Sequence, residues 1–310
     1  MPKLYIDEFV GISNRLEVLP LAFAIREAYG HEIILDWREL DSFSVDDTRR
    51  GKVRILARLG AERIRNCDVA TFARLAGKKI ILRSLDGPDE TLAPIYLEAA
   101  RKIHLAPHLV DSIRSSFASR AGRPIVGVHI RQGDYELVNP DCYETSKEWP
   151  AVPLWWYEEM MARIAALRPD VSFFLACTGN PAAFESMRNR FDTFTLDAKS
   201  PYGYKGLDHQ SEVNPVADLF ALACCPVLLA TPISGYSHWA ANVLGAPTSC
   251  IVPMPGATRD QPLSGRVELY GERMPRWRAA GRTGSDTAPL NDFAALDLGR
   301  PAHTDWLQSR

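Results

Sequence analysis

The sequence predicts an α/β protein built from two halves, and three observations carry that expectation. Short β-branched runs alternate with longer amphipathic stretches, the pattern of βαβ units around parallel sheets. The 310 residues suffice for two domains, each with its own core. Near the middle, Ala121-Gly122-Arg123-Pro124 carries no apolar period and marks a junction, dividing the chain into residues 1–122 and 123–310.

The N-terminal half opens on a strand at Lys3–Ile6, followed by a loop to Gly11. A helix is expected from about Ser13 to Tyr29, kinked at Pro20 and stopped by Gly30, a residue suited to a left-handed C-cap. His31–Trp37 and Lys79–Leu85 read as strands, and Pro94–Arg120 as a long, charged helical stretch. In the second half, strands are expected at Ile125–Arg131, Val171–Cys177, Val227–Thr231 and Thr248–Pro253. Helices are expected at Leu154–Leu167, Pro181–Arg190, Val213–Cys225 and Ser234–Leu244, the second of them opened by Asn180 with Pro181 behind it. The last fifty-odd residues, rich in Gly, Pro and Arg, read mainly as loop with short helices.

Lys plus Arg (36) nearly balance Asp plus Glu (38), so no global field would gather nucleic acid, and an anionic ligand needs a local site. The six cysteines are scattered without a C-x-x-C pair, which predicts reduced, buried thiols and a cytoplasmic protein. Met1–Gly11 has no signal-peptide pattern, and no apolar run approaches the roughly 18 residues of a spanning helix.

Three segments carry chemistry. Gly127-Val128-His129-Ile130-Arg131-Gln132-Gly133-Asp134 is a strand that delivers a charged planar fork, Arg131, to its carboxyl end. Ligands of open α/β sheets bind there, and a guanidinium can hold two phosphate oxygens at once. Gly133 lets the backbone turn tightly beside such a ligand. A strand-end ion pair between Arg131 and Asp134 is the structural alternative. The second segment, Ala230 to Trp239, feeds a strand into a helix through small and hydroxylated residues, where Ser234 and Ser237 offer donors to a phosphate or Ser234 simply caps the helix. The third, Gly11-Ile12-Ser13-Asn14-Arg15-Leu16, offers amides and a charged side chain, or no more than a turn with a cap.

In this order the segments resemble the GT-B fucosyltransferase superfamily: the nodulation-type and core alpha-1,6 enzymes, the bacterial alpha-1,2 enzymes and the protein O-fucosyltransferases. That superfamily has a first strand leading into Gly-x-x-Asn-Arg-Leu, matched by Gly11 to Leu16. Its hallmark His-x-Arg, often followed by Gly-Asp, is matched by His129 to Asp134. Its Asp-Leu helix, strand and Ser-Pro-x-Ser-x-Phe-Ser loop are matched by Asp218-Leu219, Val227 to Ala230 and Thr231 to Ser237. The resemblance covers roughly residues 3–37 and 124–250. Gly235 stands where these families often have Ser or Thr, and Gln132 where a second Arg is common, so another nucleotide sugar stays open as donor.

The resemblance implies a GT-B-like fold of two Rossmann-like domains facing a central cleft. Residues 1–122 would form the acceptor side and 123–310 the GDP-sugar side. It implies an inverting transferase moving fucose from GDP-fucose to a glycan or glycoconjugate. Arg131 would bind the pyrophosphate and His129 would lie under the nucleotide. Gly133, Ser234, Tyr236 and Ser237 would line the phosphate and fucose, and Asp218 would orient that floor. Asn14 and Arg15 would reach in from the acceptor side, and Asp134 or Glu136 would take the acceptor's proton, unless each is only a solvated loop acid. No Asp-x-Asp occurs, so neither metal nor other cofactor is expected, with Arg131 and a helix N-terminus meeting the phosphate charge. A lipid-linked acceptor would bring the protein to a membrane surface without a spanning segment. A non-catalytic nucleotide- or glycan-binding protein of the same fold is the alternative from another class. His104 and His108 have metal-like spacing, but Pro107 breaks the helix that would align them. Trp149, Trp155, Trp156 and Tyr157 read as a sugar-stacking surface or as one face of a buried helix.

Overall fold

A computed structural model describes residues 1–7, 10–65, 67–83, 96–178, 181–198, 214–232, 234–245, 248–267 and 287–307. Two compact units appear, Met1–Pro107 and His108–Leu307.

In the first unit β1 (Lys3–Ile6) leads to α1 (Ile12–Leu16) and α2 (Leu19–Tyr29). The single kinked helix expected from Ser13 is therefore two helices. Pro20 lies in the first turn of α2, where its missing N–H sacrifices no hydrogen bond, so it starts a helix instead of bending one. Gly30 closes α2 at φ 68°, its N–H donating to the Arg26 carbonyl at 2.8 Å. Next come β2 (Glu32–Leu35), β3 (Phe43–Val45), β4 (Thr48–Arg50), α3 (Ile55–Arg58), β5 (Glu62–Ile64), α4 (Val69–Ala73) and β6 (Ile80–Leu82). The unit ends with α5 (Tyr96–Ala100) and β7 (Ile103–Leu105). Five parallel strands form a sheet in the order β4-β2-β1-β6-β5. The helical run expected across Pro94–Arg120 is interrupted by β7. Ile103 and Leu105 pair antiparallel with Val45 and Phe43 of β3, a long-range contact that local periodicity does not announce.

The second unit begins with α6 (Pro107–Ala118), whose Leu109, Val110, Ile113 and Phe117 are buried. Phe117 meets Phe174 and Phe194 of this unit's sheet, with centroids 5.9 and 5.6 Å apart. That packing joins α6 to the second unit, so the division falls one helix earlier than the Gly122–Pro124 segment. Then follow β8 (Ile125–Ile130), α7 (Leu154–Leu167), β9 (Ser172–Cys177), α8 (Glu185–Arg190), β10 (Thr193–Phe194), α9 (Pro215–Leu222) and β11 (Val227–Leu229). The series closes with α10 (Gly235–His238), β12 (Ser249–Pro253), β13 (Ser264–Val267) and β14 (Thr287–Pro289). Residues 181–184 form a 3-10 turn before α8, and Asn180 lies outside the described residues. The helix expected over Ser234–Leu244 is α10 followed by a π-helical turn, Trp239–Val243. The Gly/Pro-rich tail contributes β13 and β14 as antiparallel additions to the sheet edge.

The sheet order is β10-β9-β8-β11-β12-β13-β14, with its first five strands parallel. The chain thus runs outward from β8 through β9 to β10, then returns to lay β11 on the other flank of β8. That reversal is a topological switch point at the carboxyl ends of β8 and β11, the position where ligands of open α/β sheets bind. Gly127 lets α9 press against β8, because a Cβ there would meet Leu222, Leu228 and Cys225 at 3.0–3.2 Å. Beneath α7, Trp155, Trp156 and Tyr157 are buried in the core. The two indole N–H groups donate to the Pro140 and Leu263 carbonyls. Those three are core residues, while Trp149 stays 44% exposed.

Candidate active site

The switch point gathers most of the expected residues. At its base, Thr231 Oγ1 donates to the His129 carbonyl at 3.0 Å and accepts the Arg131 backbone N–H at 3.0 Å. The Tyr157 hydroxyl lies 3.0 Å from the same oxygen. A threonine hydroxyl has one hydrogen, which here goes to His129, so Tyr157 must be the donor. On the other flank, Thr178 Oγ1 accepts from the Gln132 N–H at 2.9 Å and faces the Gln132 carbonyl at 3.0 Å. Two threonines, one after each strand neighbouring β8, therefore hold the backbone from His129 to Gln132. Neither bond depends on the Gln132 side chain. Gly133 follows at φ 94°, the left-handed turn expected of it.

The Arg131 side chain forms the anticipated ion pair with Asp134, Nε to Oδ1 at 2.8 Å and Nη2 to Oδ2 at 2.5 Å. Its guanidinium also lies 5.8 Å from the Tyr135 ring centroid. Asp134 is 60% exposed, and such pairs contribute about 1 kcal/mol or less, so an incoming diphosphate can take the guanidinium from it. Glu136, the other acid considered as a base, pairs with Lys147 at 3.2 Å.

His129 is buried, with Nδ1 2.8 Å from Ser237 Oγ and its ring stacked on Tyr236 at 4.8 Å and 27°. Ser237 gives its hydrogen to the Thr231 carbonyl at 3.2 Å, so His129 Nδ1 carries a proton and Nε2 presents a lone pair. Burial, helped by the Arg131 charge, lowers the His129 pKa to about 3, and the ring is neutral at neutral pH.

The hydroxyls of the second loop are otherwise employed than the sequence suggests. Ser234 stands at the N-cap position of α10, buried, without making a cap bond. Tyr236 donates to the Pro215 carbonyl at 2.6 Å, so it supplies a ring under His129 and not a phosphate donor. α10 runs without a break into the π-helical turn Trp239–Val243, with Gly235 at its first position.

Asp218 is buried one turn into α9, the helix capped by Asn214 through Val216 N–H and Ala217 N–H. Burial raises its pKa to about 8, and its Oδ1 has no hydrogen-bond partner. It does not orient the Thr231–Ser237 floor by any described hydrogen bond. Burial, and the Asp218 carboxylate when ionised, raise the Cys177 thiol.

Asn14 and Arg15 belong to the first unit. Arg15 does not project as expected: it is buried, donates to Glu39 Oε2 at 2.6 Å and lies 5.6 Å from the Trp37 centroid. Burial tends to raise the Glu39 pKa, but the Arg15 hydrogen bond and charge prevail and lower it. Arg15 thus reads as a structural ion pair of its own unit. Asn14 is half-buried. Among the described residues no group of three or more His, Cys, Asp or Glu could hold a metal ion; His104 bonds Asp46 at 3.0 Å instead. No described helix is long and apolar enough to cross a membrane.

Sequence reasoning did not single out Thr178, and it named Thr231 and Tyr157 without these hydrogen-bonding roles. The one available signal is a threonine close behind an apolar strand on each side of β8, directly after β9 and two residues after β11.

No family model matches the sequence, and no curated protein does. Solved structures do match. Fucosyltransferase NodZ from Bradyrhizobium aligns at TM-score 0.51 and 15% identity, covering 82% of this chain and 96% of that one. NodZ alpha-1,6-fucosyltransferase soaked with GDP-fucose aligns at TM-score 0.52 and 16% identity, over 87% and 100% of the two chains. The same enzyme co-crystallised with GDP aligns at TM-score 0.50 and 15% identity, over 82% and 94%. At such identity the likeness speaks for architecture, and the chain has the α/β, GT-B-type fold of the NodZ fucosyltransferases.

Proposed function

We propose that the protein is an inverting glycosyltransferase, independent of metal ions, that transfers fucose from GDP-fucose to a glycan or glycoconjugate. The observation that carries this reading is Arg131, held by its backbone N–H at the switch point with its side chain paired to an exposed carboxylate. A diphosphate would displace Asp134 and receive the guanidinium fork. The freed Asp134 carboxylate would then accept the proton of the acceptor hydroxyl as that oxygen bonds to the sugar carbon. The bond from that carbon to phosphate breaks, and GDP leaves with its electrons beside Arg131. Preorganised donors at the leaving group are commonly the largest catalytic term. Neutral His129, with a lone pair at Nε2, suits a ligand N–H or O–H. Buried Asp218 would serve a nucleobase with paired N–H donors, which would draw it into its ionised form. In this reading residues 123–310 bind the donor and the N-terminal half serves the acceptor.

The NodZ structures with GDP and GDP-fucose support that donor class. Gln132 in place of a second arginine favours keeping other nucleotide sugars in the test. GDP-fucose, GDP-mannose and UDP-glucose would each be incubated with a glycan pool in EDTA, and nucleotide release and product anomer followed. GDP release from GDP-fucose, with a product of opposite anomeric configuration, is expected. Nucleotide binding without turnover of any donor would instead identify a binding protein.

A further inference from the structure

The segment from Lys52 to Lys79 carries eight Lys and Arg residues against two acids, while the whole chain carries 36 against 38. This local excess of cations surrounds an inverted helix. In α3 and the turn after it, Ala57 and Ala61 face inward, packed on the cluster of Tyr5, Ile34, Val53 and Ile81. The large side chains point the other way: Ile55 is 79% exposed, Leu56 77% and Leu59 61%. A helix that only covers a sheet would be expected to turn its large aliphatic residues inward, since burying them releases far more free energy than burying alanine. Arg54 precedes this ridge and is exposed. Arg63, also exposed, lies on β5, the edge strand beside β6. Lys79, just before β6, reaches back to the Leu56 carbonyl at 3.4 Å, which places positive charge beside the ridge.

We infer that this ridge docks the protein on an anionic lipid surface, with Ile55, Leu56 and Leu59 entering the headgroup–acyl boundary and Arg54 and Arg63 meeting lipid phosphates. Lys52 and Arg58 already pair with Asp36 and Asp7, but a neutral partner would leave Arg54 and Arg63 unanswered, and a hydrated polyanion would leave three aliphatic side chains in water. An anionic bilayer satisfies both. The inference is independent of the chemistry proposed for the second unit.

The test is co-sedimentation of the full chain with vesicles of phosphatidylcholine alone and of phosphatidylcholine with phosphatidylglycerol. Wild type, Ile55→Ser/Leu56→Ser/Leu59→Ser and Arg54→Ser/Arg63→Ser would be compared, with circular dichroism confirming that each folds. Wild type is expected to bind anionic vesicles at least tenfold more tightly than neutral ones, and to weaken as salt rises. The aliphatic variant should lose sedimentation, and the arginine variant should lose roughly tenfold with a shallower salt dependence. Absence of binding to either vesicle, or binding unchanged in a folded aliphatic variant, would overturn the inference. So would a concentration-dependent dimer, abolished in the aliphatic variant, in a protein that ignores vesicles. Should the serine triple variant fail to fold, Leu56→Glu alone provides the same comparison.

Discussion

Thr231 Oγ1 accepts the backbone N–H of Arg131 at 3.0 Å and thereby fixes the residue expected to meet phosphate. Because the same oxygen serves the His129 carbonyl and the Tyr157 hydroxyl, Thr231→Val would remove the partner of two buried polar groups and of the part-buried Arg131 N–H. Each orphan costs on the order of 1–3 kcal/mol, so a loss of several kcal/mol is expected in chemical denaturation. Thr231→Ser retains the hydroxyl and should lose less than half as much. Equal losses in the two variants would show that the methyl group, and not the hydroxyl, matters.

Arg131 and Asp134 should separate chemistry from stability. Their pair is solvent-exposed, so Asp134→Asn should alter stability by about 1 kcal/mol or less. If Asp134 receives the acceptor proton, transfer should fall by about two decades or more. Arg131→Lys keeps the charge and loses the fork, and it should recover only part of the activity lost in Arg131→Ala. Measured kcat for transfer alongside melting temperatures tests this.

The pH dependence of stability has a predicted maximum. Buried His129 and His238 have pKa values lowered to about 3, against about 6.5 in an unfolded chain. Between those values the unfolded state binds more protons, so stability falls as pH drops from 6.5 towards 3. Asp218, raised to about 8, acts oppositely: its stabilising proton is fully present below about 3.8 and is lost as pH rises to 8. Two histidines outweigh one carboxyl below pH 6.5, and Asp218 alone remains above it. Thermal melts should therefore peak near pH 6.5, and Asp218→Asn should flatten the decline between 6.5 and 8. A wild-type curve still rising at pH 8 would show that Asp218 is ionised in the folded protein.

The second unit was legible because its strands are buried, apolar and bounded by Gly and Pro. The helix Leu154–Leu167 and strand Ile125–Ile130 lie where the periodicity places them. The first unit was harder to read. β3 and β7 are three-residue strands that pair only with each other among the described strands, and Pro20 has two positional meanings that differ by a single break at Glu17–Val18. In the site, residue types pointed to Arg131, His129 and Gly133, whose roles follow from a strand end. They could not disclose that Arg15 finds Glu39, or that Tyr236 turns its hydroxyl to Pro215. Those partners lie far away in sequence or across a turn, and one chain read linearly does not pair them. The aliphatic ridge at Ile55–Leu59 was likewise invisible, because only the fold tells which side of α3 faces water.

The central claim is that Arg131 anchors a GDP-linked donor without a metal ion. Calorimetric titration of GDP, GDP-fucose, UDP and ADP into wild type and Arg131→Ala, all in EDTA, tests it directly. The account predicts guanine-selective binding that persists in EDTA and weakens by roughly two decades in the variant. Equal affinity for all four ligands, or GDP binding undiminished in Arg131→Ala, would contradict it.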